Sequence, residues 1–130
     1  MKKLAKILGF GFLTWLIPFV AGFFCYSRDG QPLFDVFLVK TIMLLVASLF
    51  GTLLLVVYLC KTTSRFLRES MIVGGTWLLV NWILDFVVLV PMMKIDVGTY
   101  FAQIGLRYLL IPMTSIALGY VLEKKVVAQA

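Results

Sequence analysis

The chain has 130 residues, 62% apolar and 14% charged, with a formal net charge of +6 and a mean hydropathy of +1.06. Soluble domains average about 45–50% apolar and about 25% charged residues, so lipid must solvate much of this surface. Four bilayer-length helices, at about 20 apolar residues each, leave no room for a separate soluble domain. The basic residues flank the apolar runs without forming a continuous patch, which excludes nucleic-acid binding.

In chain order, MKKLAK is followed by ILGFGFLTWLIPFVAGFFCY. That stretch exceeds the roughly 7–15 apolar residues of a cleaved signal and carries no small-x-small cleavage site, so 7–26 reads as a retained first span. SRDGQP at 27–32 is a turn: Asp29-Gly30 suits a tight reversal, and Pro32 suits the first turn of the next helix. The second span then runs over 33–60. A polar connection, KTTSRFLRES at 61–70, leads to a third span at 71–93. KIDVGT at 94–99 turns into a fourth span at 100–122, and EKKVVAQA is the tail. The expected fold is all-α, a single-domain four-helix transmembrane bundle.

Orientation follows from charge. Lys2, Lys3, Lys6, Lys61, Arg65, Arg68, Lys124 and Lys125 fall on one side, against Arg28 and Lys94 on the other. Basic residues in short loops stay cytoplasmic, so both termini are expected there and the chain inserts one way only. The compact loops and the MKKLAK start suggest a multi-pass protein of a bacterial inner membrane. Anionic lipid should be drawn to the cytoplasmic face, at about 1 kcal/mol per Lys or Arg near the surface.

Small or kinking residues recur in the spans, among them Gly11, Gly22, Gly51, Gly74, Ser115 and Gly119. They let membrane helices approach closely, within one chain or between copies of it. Cys25 and Cys60 belong at opposite ends of consecutive spans, so no disulfide is expected. With no histidine and no CxxC, neither a metal nor a cofactor is expected. No nucleophile–base pair is visible, so no catalytic residue is assigned.

Three charges fall inside apolar runs: Lys40, Asp85 and Arg107. Each costs about 2.5–3.5 kcal/mol at a helix centre unless paired or facing a cavity. A hairpin centred near Asp96 puts Asp85, eleven residues before it, level with Arg107, eleven after it. Both would lie in the outer half of the membrane, where an Arg–carboxylate pair can be bidentate. Asn81 shares a helix face with Asp85, and Gln103 with Arg107, each four residues apart. Lys40, one to two turns inside the second span, falls in the same layer. Asp85, Arg107, Asn81, Gln103 and Lys40 thus form the expected polar cluster, and Asp35 could offset its spare positive charge.

The cluster has three readings: a structural ion pair fixing helix register, a pocket for an anionic group, or a proton relay through Asp85. Trp15 and Trp77 read as span residues, Trp82 as lying beside the cluster, and Tyr26, Tyr58, Tyr100 and Tyr120 as interfacial anchors. No motif carries a family resemblance. The expected role is an accessory or assembly protein binding a partner protein or lipid through its helix faces and this cluster. The alternative is a small-solute transporter or channel lined by Asp85, Arg107, Asn81 and Lys40.

Overall fold

The computed structural model of the protein describes residues 2–130. In order they form α1 (Lys2–Phe24), α2 (Val36–Cys60), α3 (Phe66–Leu84), a π-helical turn (Asp85–Leu89) and α4 (Val90–Met93). Then come α5 (Val97–Gln103), a 3-10 segment (Gly105–Leu109) and α6 (Leu110–Gln129). Four stretches are long and apolar enough to cross a membrane: Lys2–Phe24, Val36–Cys60, Phe66–Met92 and Gly105–Gln129. The chain is all-helical apart from connections and one isolated bridge between Tyr26 and Pro32.

Local chemistry sets the ends. Gly30 turns the first connection with φ +76°, a left-handed conformation that costs a residue without Cβ nothing. Pro32 is held in the bridge opposite Tyr26, so α2 starts at Val36 rather than at Leu33 as expected. Its start is fixed by Asp35, whose Oδ1 accepts the Phe37 and Leu38 N–H groups at 3.0 and 3.4 Å, satisfying donors that a helix start leaves open. Asp35 is exposed and used as a cap, and does not offset Lys40.

The fourth crossing differs from expectation more deeply. Asp96 caps α5 by accepting the Thr99 N–H at 3.0 Å. Then α5 stops after seven residues at Ile104, where φ −129° and ψ −56° leave the helical region. Residues 100–103 therefore do not continue into the helix that crosses with Arg107.

The bundle is organised around α3, which packs most extensively on α6 and next on α1, while α2 lies against α1. Helix α3 meets α6 at small residues. A Cβ on Gly74 would stand 2.9 Å from the Pro112 Cα, and one on Gly119 would overlap the Ser70 hydroxyl and lie 2.9 Å from the Phe66 carbonyl. Ser115 donates to the Ser70 carbonyl at 2.6 Å in the same seam. At one end Lys3 pairs with Glu69, and Glu123 accepts the Leu67 N–H at 2.8 Å. Both termini and the connection between α2 and α3 therefore share one end of the bundle, the basic end. The expected polar connection at 61–70 is shortened to 61–65, because α3 already begins at Phe66.

Close approach is what this seam trades on, so overpacking should break it. Gly119→Val should lower stability by about 1–3 kcal/mol, the usual cost of forcing atoms into a filled contact. Gly51→Ala, whose Cβ would meet open space, should cost nothing in the same unfolding titration in mixed micelles. Equal losses would contradict the packing described.

Candidate functional site

Asp85 is 1% exposed and stands at the start of the π-helical turn. Val90 donates to the Asp85 carbonyl five residues back, a register that inserts one residue relative to an α-helix and recurs at functional positions. Pro91, which has no N–H to give and would crowd the carbonyl four residues behind it in a regular helix, follows at once. The chain thereby leaves α-helical register where its one buried carboxylate sits.

Three aromatic side chains approach that carboxylate. Trp15 of α1 donates its indole N–H to Oδ1 at 2.6 Å, and Tyr100 of α5 donates its hydroxyl to Oδ2 at 2.6 Å. The Tyr108 hydroxyl of the 3-10 segment approaches the same group. A carboxylate accepts only, an indole donates only, and a phenol can do either. Donors that hydrogen-bond a buried carboxylate can sustain it without a cation alongside. The donors are themselves held by packing. Trp15 stacks on Phe19 at 4.7 Å, and Tyr100 lies between Phe86 and Phe101 at 5.1 and 5.2 Å.

One turn toward the basic end lies a second polar layer. Asn81, fully buried, donates to the Thr14 hydroxyl at 3.0 Å and the Trp77 carbonyl at 2.8 Å. Thr14 passes the bond on to the Gly11 carbonyl at 2.6 Å. The remaining two tryptophans brace the same helix: Trp77 donates to the Ile7 carbonyl at 2.9 Å, and Trp82 to the Gly105 carbonyl at 3.0 Å. Each indole thus ties the third crossing to the first or the fourth.

Of the five expected cluster residues, only Asn81 and Asp85 are buried together. Gln103 and Arg107 are exposed. Lys40 donates to Gln103 at 3.2 Å, away from Asp85. The expected Asp85–Arg107 pair does not form: the one ion pair among the described residues is Lys3–Glu69.

The reason lies in register. Trp82 meets Gly105, Gly74 meets Pro112, and Ser70 meets Ser115, each pair equidistant from position 93 to within one residue. The hairpin centre is therefore near 93 and not 96. Asp85 comes level with Tyr100, while Arg107 comes level with Leu79. That separates the two charges by six residues of helix, roughly 9 Å along the axis, and the break at Ile104 removes Gln103 and Arg107 from a common face.

Sequence reasoning missed Thr14, Trp15, Tyr100 and Tyr108. Tyr100, expected as an interfacial anchor, is fully buried. A usable signal was present. The first and third crossings run parallel, with Ile7 meeting Trp77, Thr14 meeting Asn81 and Trp15 meeting Asp85, a nearly constant offset of 67 to 70 positions. Counting both helices from the basic end would have aligned Thr14-Trp15 with Asn81 and Asp85. No protein-family model, curated protein or solved structure matches the chain.

The arrangement locks helices together around a carboxylate closed off from the surface. Tyr100→Phe and Trp15→Phe should each lower stability by about 1–3 kcal/mol, the cost of removing a donor from a buried acceptor. Arg107→Ala should not lower it. Chemical unfolding in micelles, followed by near-ultraviolet circular dichroism, reads all three; a loss for Arg107→Ala matching that of Tyr100→Phe would restore the ion pair.

Proposed function

We propose that this chain is an accessory membrane protein, its basic end in the cytoplasm, that binds a partner membrane protein through the face carrying Arg107. The observation that supports this most is the position of that guanidinium. Arg107 is exposed and lies between the level of Trp82, which meets Gly105, and that of Gly74, which meets Pro112. It is only two residues into the fourth apolar stretch, Gly105–Gln129, yet level with the middle of the third, Phe66–Met92. Long basic side chains near helix ends reach the headgroups, but a charge left at the helix centre costs about 2.5–3.5 kcal/mol on insertion scales. A carboxylate from another membrane helix removes that cost, and the guanidinium can hold it by two parallel hydrogen bonds.

A second copy of the chain would not supply that acid. Of its six acidic residues, Asp29, Asp35 and Asp96 lie in or beside the turns, and Glu69 and Glu123 at the basic end. Asp85 is sealed inside. The partner is therefore a different protein with an Asp or Glu in one of its own spans.

The transporter reading draws less support. It needs Asp85, Asn81, Lys40 and Arg107 along one path, yet Asp85 and Asn81 are enclosed by Trp15, Thr14 and Tyr100 while Arg107 is outside. The Asp85 layer instead serves the role by holding the Arg107 face in shape.

Purification of the tagged chain in gentle detergent should recover one stoichiometric membrane protein, and Arg107→Leu should lose it while inserting and accumulating normally. The partner should carry an acidic residue inside an apolar span. Recovery of the chain alone, or undiminished recovery with Arg107→Leu, would refute the reading.

A further inference from the structure

A cleft of about 410 Å³ opens at the basic end, between the start of α1, the end of α2 and the start of α3. Lys2, Lys3 and Lys6 enter it from α1, and Lys61 from the residue after α2. Thr63 and Ser64 line it from the connection. Glu69 also lies in the wall, but both its oxygens are engaged: Lys3 pairs with Oε1 at 2.5 Å, and the buried Tyr58 donates its hydroxyl to Oε2 at 3.0 Å. Lys3 and Glu69 thus cancel. Lys2, Lys6 and Lys61 have no carboxylate partner among the described residues.

That leaves three positive charges around one concavity. Lys6 is half-buried, its amine 5.7 Å from the Tyr58 ring centroid and 5.8 Å from that of Phe10, so aromatic faces hold it at the cleft. The positive end of the α1 dipole adds to the field. The remaining hydroxyl of the α2 end is already committed, since Thr62 donates to the Tyr58 carbonyl at 3.3 Å; Thr63 and Ser64 are the hydroxyls that face a ligand.

We propose that this cleft is a binding site for the phosphate head group of an anionic membrane lipid. It stands where two apolar helices end, at headgroup level, and basic pockets between membrane helices take such groups. The phosphate sits among Lys2, Lys6 and Lys61 with Thr63 and Ser64 donating, and the acyl chains run down the apolar flanks of α1 and α2. This site is separate from the Arg107 face, and its success or failure leaves that reading untouched.

Native mass spectrometry of the purified full chain tests it, using phosphatidylglycerol and phosphatidylcholine of identical acyl chains. Phosphatidylglycerol should be retained about tenfold more, and the Lys6→Gln/Lys61→Gln variant should retain both alike. Lys124→Gln/Lys125→Gln removes the same charge from the tail at the same end, and should retain phosphatidylglycerol like the parent chain. Circular dichroism confirms that both variants are folded. Equal retention of the two lipids overturns the proposal, as does an equal loss in the tail variant, which would reduce the effect to diffuse attraction. Displacement of the lipid by millimolar inorganic phosphate would assign the cleft to free phosphate and overturn the lipid assignment; persistence of the lipid supports it.

Discussion

Taking a carboxylate out of water inside an apolar bundle requires that its oxygens find donors within the protein, and the hydrogen bonds of Asp85 satisfy this from two other segments. Trp15 comes from the first crossing and Tyr100 from the short helix after the hairpin, each at 2.6 Å. For Tyr100 to reach the carboxylate, the chain must fold close against the third crossing before it crosses back. The break at Ile104 and the 3-10 segment make that geometry possible, and the π-helical turn sets the register on the opposite side. The irregular backbone is concentrated around this one acid, where hydrogen bonds to side chains hold it.

The other charges divide by location. At the basic end, Lys3 and Glu69 stitch the first helix to the third, and the neighbouring lysines border an open cleft. Arg107 is the outlier: a cation on the surface of a crossing, whose side chain makes no ion pair or hydrogen bond among the described residues. Asp85 has donors without a countercharge, and Arg107 has a charge without donors or acceptors to meet it. The first braces the bundle from inside; the second is the exposed feature on which the proposed partner face rests.

The crossings were legible in the sequence because hydropathy over about 20 residues is a direct readout of lipid solvation. The small residues of the α3–α6 seam were legible too, since Gly74, Ser115 and Gly119 recur where backbones must approach. Pairing Asp85 with Arg107 assumed two continuous helices mirrored about Asp96. Asp96 is instead the cap of a short helix, and contacts between the crossings centre on position 93, so equal counts along the chain no longer meant equal depth. Trp15 read simply as a residue within its span, and Tyr100 escaped notice because it fell near an expected interface. Large aromatic residues near the membrane edge usually anchor to lipid, and nothing in composition distinguishes a phenol at the interface from one turned inward to a carboxylate.

The contact between Trp15 and Asp85 can be observed without an energetic argument, because the chain has three indole N–H groups, each with its own acceptor. In ¹⁵N–¹H spectra of the protein in micelles, the Trp15 indole should lie farthest downfield, as a short bond to a carboxylate requires. That signal should move upfield with Asp85→Ala and stay in place with Arg107→Ala. A Trp15 resonance indifferent to Asp85, or one that follows Arg107 instead, would contradict the account.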